Sequence, residues 1–369
     1  MRLDFADFDH LLRVRRGGEG ERHQSRESGR CDKPFDEPTA SVLHCLPRYC
    51  LNPLGSIILV TNAITPPRTG QAQLYTRRYP CEDSMRKCLS PAQIEQYWEE
   101  GCVFPIRVMS EADAAENRER LEEFERRTGE PLKGDLRHKS HLLFAWLAKL
   151  VRRSAILDAV EDLHGPDLLC WTTNFFIKEA ANPAFVSWHQ DSTYWGLSRP
   201  DVVTAWVAFT EAAEANGAME YIPGSHKLDQ IPHRDTFAKN NLLTRGQEVM
   251  VEVDPSQREI ITLRPGEMSL HHVRLVHGSP PNPSNDRRIG FAIRYIPTSV
   301  AQLAGEDSAT LVRGEDRYHH FALEPEPKRD LDPEFVALHR SIAERNAKIL
   351  YRGTDIASYN EPKALAERG

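Results

Sequence analysis

From Leu168 onward the apolar residues of this chain recur at every second position in short runs, and that period limits the fold more than any other feature. The stretches 168–178, 202–210, 218–222, 259–263, 268–272 and 287–296 read as strands. Turn signals separate them, namely Asn216-Gly217, Pro223-Gly224, Pro265-Gly266 and Pro280-Pro281. Many short strands must hide their edges by closing on themselves or by pairing as two sheets. A mainly β chain with flanking helices is therefore predicted, with a jelly roll as its core. The polar stretch 227–258 is long for a loop, and loops of that length are usually functional or mobile.

The helical period appears on either side of the strands. Ser90-Pro91 suits an N-cap and first helical position, which predicts a helix over 92–100. The stretch 110–127 reads as a charged, mostly exposed helix. Leu142, Leu143, Trp146, Leu147, Leu150 and Val151 form an apolar stripe that predicts an amphipathic helix over 141–163. A closing helix is expected over 335–348.

Residues 1–88 differ from the rest. They mix charge signs with Pro34, Pro38, Pro47, Pro53, Pro66, Pro67 and Pro80, and are expected to be a poorly ordered extension, or partly sequence upstream of the natural start. The folded domain is then 89–369. Asp4, Asp7 and Asp9 precede any apolar run, unlike a signal or transit peptide. Ile57-Ile58-Leu59-Val60 falls far short of the roughly 20 apolar residues of a membrane span. The seven cysteines form no CxxC pair, so reduced thiols in a cytoplasmic protein are expected. A net charge of −7 without a basic block argues against nucleic acid as a partner. No feature specifies an oligomeric state.

Three pieces carry chemistry. In Trp188-His189-Gln190-Asp191, residues two apart on an extended chain face one way, so His189 and Asp191 can converge on one ion. His277 follows a strand introduced by Pro265-Gly266. Arg288 opens another strand, with Gly290, Ala292 and Arg294 on its face and Arg287 on the opposite one. Two imidazoles and a carboxylate can hold a metal on one side and leave other positions open. HxD by itself is a weak signal; the second histidine and the trailing arginine give it weight.

Over about 89–300 the chain resembles the phytanoyl-CoA dioxygenase family, which includes ectoine hydroxylase. The resemblance lies in Trp188-His189-Gln190-Asp191, in Asn216-Gly217 with Ile222-Pro223-Gly224-Ser225-His226, and in His277-Gly278-Ser279 with Asn282 and Arg288. It implies a double-stranded β-helix (cupin-like jelly roll) that couples 2-oxoglutarate decarboxylation to hydroxylation of a small organic substrate, with iron(II), 2-oxoglutarate and dioxygen as cofactor and cosubstrates. His189, Asp191 and His277 match the iron ligands, and Arg288 matches the residue that pairs with the far carboxylate of 2-oxoglutarate. Thr204 matches a hydroxyl beside that carboxylate. Thr172 and Asn174 share a strand face that looks into the barrel in the same comparison, and are grouped with the cofactor-binding residues. Trp195 matches an aromatic near the pocket. Halogenases of similar fold replace the carboxylate ligand by a small residue, so the retained Asp191 favours hydroxylation or desaturation.

His226 is expected to make a structural hydrogen bond. His271 and His272 face opposite ways, and His319-His320 reads as solvated. Two rival readings stand beside the dioxygenase: a non-catalytic cupin-like metal- or ligand-binding module, and an oxygenase of the same fold that does not use 2-oxoglutarate.

Overall fold

The computed structural model describes residues 86–356 and 358–360. The expected extension, except for its last three residues, lies outside the described residues, as do Cys31, Cys45, Cys50 and Cys81. Where the description begins, the backbone N–H groups of Lys87, Cys88 and Leu89 donate to the Asp162 carboxylate at 2.8, 2.9 and 2.8 Å, which ties these residues to the domain.

The helices are α1 (Pro91–Glu100), α2 (Glu111–Thr128), α3 (Ala145–Leu150), α4 (Ser154–His164) and α5 (Pro333–Leu350). Ser90 caps α1 in a reciprocal capping box with Gln93, and Gly101 closes it at φ 86°. The amphipathic stretch 141–163 is not one helix, as the stripe suggests. A 3-10 turn at Ser140–Leu142 gives way to α3, and α4 starts after a break at Val151–Arg153. Phe144 is extended, and the Asp330 carboxylate accepts from Ala145 N–H at 2.7 Å, capping α3 from far along the chain. The apolar stripe is buried regardless, with Leu142, Leu143, Leu147, Leu150 and Val151 inside.

Thirteen strands among the described residues follow the period-two reading: β1 (Cys102–Arg107), β2 (Leu168–Lys178), β3 (Val186–His189), β4 (Val203–Ala208), β5 (Glu220–Tyr221), β6 (His233–Arg234), β7 (Glu248–Val249), β8 (Glu259–Ile260), β9 (Glu267–His272), β10 (His277–Ser279), β11 (Arg288–Pro297), β12 (Ser308–Arg313) and β13 (Ala322–Leu323). A seven-stranded sheet has the order β1-β9-β4-β11-β2-β12-β13, and a four-stranded sheet the order β3-β10-β5-β8. Pairing is antiparallel except between β12 and β13. One core cluster joins Trp206, Ala208 and Ala292 of the large sheet to Tyr221 of the small one, so the two sheets share an interior. This is the double-stranded β-helix of the cupin-like jelly rolls. The long stretch 227–258 is not wholly irregular, because β6 and β7 pair within it.

Register decides what reaches the interior. Across β2, β11, β4 and β9, Arg288 opposes Lys178, Ala292 lies between Asn174 and Trp206, and Arg294 lies between Thr172 and Thr204, which in turn opposes His271. In the small sheet His277 lies between His189 and Tyr221.

Candidate metal centre and its two compartments

His189 ends β3 and His277 opens β10, so the pairing of these strands sets the imidazoles side by side, ring centroids 4.1 Å apart. Gln190 continues the extended chain, and Asp191 begins a 3-10 turn. Its carboxylate comes within 3.3 Å of His189 Nε2. One ligand atom from each of His189, Asp191 and His277 lies within 4.8 Å of the other two, and all three residues are buried. His189 Nδ1 faces the carbonyls of Ser187 (2.9 Å) and His277 (3.0 Å), and His277 Nδ1 faces that of Leu275 (2.9 Å). A nitrogen facing a carbonyl carries the proton, which leaves both Nε2 lone pairs free for an ion.

The electrostatics fit a cation. Burial first, then the neighbouring His189, holds His277 well below the ordinary histidine range, so it is a neutral ligand. Burial opposes ionisation of Asp191, but the Arg294 guanidinium beside it favours the carboxylate and keeps it ionised. Gln190, wholly buried, fixes this corner: its amide donates to Arg274 O (2.9 Å) and accepts from Ile231 N–H (2.8 Å).

Arg288 lines the same compartment and is 2% exposed. Its Nη1 donates to Gly217 O at 2.5 Å, its Nε has no partner, and its guanidinium lies 5.3 Å from the Trp206 ring. Lys178 stands beside it, donating to Ser279 Oγ (2.6 Å), Gly217 O (3.1 Å) and Pro280 O. Burial lowers Arg288 to about 10, and burial followed by repulsion from Arg288 lowers Lys178 to about 6. A buried guanidinium with no carboxylate partner among the described residues is costly unless an anion joins it. Thr204 Oγ1, also buried without a partner, faces the compartment as a spare donor. These donors fit a dicarboxylate whose other end reaches a metal at the triad.

Arg287 turns away, to Glu125 (2.7 Å) and Glu179 (2.8 Å), as its parity requires. Thr172 and Asn174, grouped with the cofactor-binding residues from sequence, line a second cavity that adjoins the inner compartment at Phe176, Asp191 and Arg294. They face inward as expected, and Asn174 Oδ1 accepts from Arg294 Nη1 at 2.7 Å. Trp195 lies in that cavity too, under the Arg294 guanidinium at 4.9 Å and 4.9 Å from Trp171. His226 Nε2 bonds Trp98 O at 3.0 Å, a structural role. His271 lines the inner compartment, whereas His272 packs near His226. His319 and His320 are exposed.

The sequence reading misses Lys178, Gln190 and Trp206. For Lys178 the signal is present, since it continues the inward parity of Thr172 and Asn174 along β2. Nothing in the spacing marks Gln190, whose partners come from segments 229–231 and 274.

A cupin-like jelly roll with two histidines and one carboxylate converging inside it defines the non-haem metal-site class of this fold. The sequence profile of the phytanoyl-CoA dioxygenase (PhyH) family matches residues 84–290, and the chain belongs to that family. A probable alpha-ketoglutarate-dependent hypophosphite dioxygenase of Stutzerimonas stutzeri is 32% identical over 188 residues, which cover 50% of this chain and 64% of that protein. Among solved structures, the non-heme monooxygenase ThoJ in its apo form is 35% identical with a TM-score of 0.63, covering 70% of this chain and 97% of its own. The nickel complex of ThoJ gives 33% and 0.59, covering 69% of this chain and 97% of its own.

Proposed function

We propose that the protein is an iron(II)- and 2-oxoglutarate-dependent dioxygenase that hydroxylates a small organic substrate. The observation that carries this reading is the pairing of two features in one buried compartment. His189, Asp191 and His277 converge there, and the Arg288 guanidinium, with no carboxylate partner among the described residues, lines the same compartment. His189 and His277 would hold the metal through Nε2 and Asp191 through its carboxylate. Arg288 would take the far carboxylate of 2-oxoglutarate, for which a planar guanidinium offers parallel donors. Thr204 Oγ1 would add a hydrogen bond to the same group. Bound iron(II), with 2-oxoglutarate and dioxygen, supplies the oxidising chemistry that leaves succinate, CO2 and a hydroxylated substrate. The chain orients these groups and keeps water from them through Trp206 and Phe176. The name of the hypophosphite dioxygenase relative and the nickel complex of ThoJ support the same reading. No helix among the described residues is long and apolar enough to cross a membrane. The buried free thiols Cys102 and Cys170 fit a reducing, cytoplasmic setting.

Anaerobic titration of iron(II)-loaded protein with 2-oxoglutarate tests the proposal. The weak visible charge-transfer band of a chelated keto acid is expected, and its loss in His189→Ala and in His277→Ala. Iron binding without a band would remove the cosubstrate. Failure to bind iron would leave a non-catalytic binding module.

A further inference from the structure

The second cavity shares Phe176, Asp191 and Arg294 with the inner compartment, so a molecule within it reaches the triad past these three side chains. Its walls include Trp171 and Trp195 and three guanidiniums, Arg137, Arg245 and Arg294. Two of the three have acidic partners. Arg245 pairs with Asp235, and Arg294 lies 3.4 Å from Asp191. The cavity's other acid, Asp307, is occupied by Trp171 Nε1 (2.7 Å) and Ser308 N–H (2.8 Å).

Arg137 is different. Its Nε and Nη2 donate to one carbonyl, Phe175 O, at 3.2 and 3.0 Å, and it has no carboxylate partner among the described residues. Nη1 is left without a protein acceptor there. Arg137 is half-buried, and a guanidinium drawn out of water into a cavity wall normally has a paired acid or a ligand that serves as one. Burial alone lowers Arg137 to about 10, with no neighbouring charge to offset it.

We propose that the second cavity is the substrate site and that the substrate bears an anionic oxygen group, a carboxylate or a phosphonate, held by Arg137 with its apolar body against Trp171 and Trp195. The inference rests on the dioxygenase reading only in naming the bound molecule a substrate; the anion site stands on the cavity itself. Anchoring one end on Arg137 directs the other past Phe176 toward the triad. Trp171 and Trp195, ring centroids 4.9 Å apart and tilted by 55°, supply the aromatic part of the wall for the body.

Quenching of tryptophan fluorescence, with Trp171 and Trp195 as reporters, measures binding without turnover. The full chain, free of metal and 2-oxoglutarate, is titrated with phenylacetate, phenylphosphonate and the neutral phenylacetamide. At least one anion is expected to bind about ten- to a hundredfold more tightly than the amide, as a charge-assisted hydrogen bond provides. The order of the two anions tells carboxylate from phosphonate. Arg137→Gln should remove that preference while leaving amide binding unchanged, and Arg137→Lys should restore part of it. Because Arg137 contacts one carbonyl, an unchanged melting temperature checks that both variants fold. Equal binding of acid and amide, no binding of either anion, or an unchanged preference in Arg137→Gln overturns the proposal. A failed iron titration with a retained anion preference sinks the dioxygenase reading and leaves the anion site standing.

Discussion

At the scale of single residues, Lys178 carries the strongest unexpected claim. Its ammonium and the Arg288 guanidinium both donate to Gly217 O, and their Cα positions are paired across β2 and β11. Gly217 can offer that carbonyl because a left-handed turn (φ 72°) lets it sit where a Cβ would lie 2.5 Å from Pro280 O. With burial and Arg288 lowering Lys178 to about 6, the free protein holds it largely neutral at pH 8. A dicarboxylate beside it favours the charged form, so binding takes up a proton above pH 6. Affinity for 2-oxoglutarate should therefore fall as pH rises from 6 to 8, by up to about tenfold per unit. In Lys178→Met that slope should vanish. The same substitution leaves Ser279 Oγ, Gly217 O and Pro280 O without the Lys178 donor, so the ligand-free variant should melt at a lower temperature. Dissociation constants from the anaerobic charge-transfer band at both pH values, with a melting curve, measure each effect. An unchanged slope in the variant would assign the pH dependence to another group.

At the scale of elements, the strands are legible because alternation and turn residues are local signals. The reading 168–178 coincides with β2, and that for 287–296 differs from β11 by one residue at each end. The interior face of β11 is legible for the same reason, and Arg288, Ala292 and Arg294 all line the inner compartment. The break before α3 is hidden because its cap, Asp330, comes from a distant segment. Placement of Thr172 and Asn174 on the second cavity is hidden too, since parity gives direction without depth along the strand. Pairing of β11 with β4 also sets a limit that parity alone does not state. A Cβ on Gly290 would lie 1.8 Å from Trp206 Cζ2, and Trp206 in turn flanks Arg288. Gly290→Ala must displace the indole, at a cost of about 1–3 kcal/mol for overpacking. A lower denaturation midpoint together with weaker 2-oxoglutarate binding is expected. A variant that melts lower yet binds 2-oxoglutarate as the parent does would show that Trp206 does not position the clamp.

At the scale of the whole molecule, the interior holds imidazole rings as well as apolar side chains, and their protonation governs the response of the fold to acid. Burial is the first cause in each case: it lowers His271 to about 4 and His272 to about 3, and holds His138 and His277 well below the ordinary range. His141, His226, His233 and His339 are shifted the same way. In the unfolded chain each returns to about 6.5. Between the folded and unfolded values the unfolded chain binds more protons, so stability rises with pH across that window. The stabilisation is complete above about pH 6.5 and is lost as pH falls toward 4. Buried carboxylates held ionised, Asp191 and Glu324, add their own loss at lower pH, below the ordinary carboxylate range. Metal-free protein should thus show a urea midpoint that is level near pH 7 and falls steeply between pH 6.5 and 4. A bound divalent ion requires neutral imidazoles and an ionised Asp191, so it competes with protons at the triad. Metal-loaded protein should keep its midpoint to lower pH than the metal-free form, while His189→Ala should abolish that difference. A midpoint level from pH 7 to 5 in the metal-free protein would mean that the buried rings take up protons without unfolding and do not govern the response of the fold to acid.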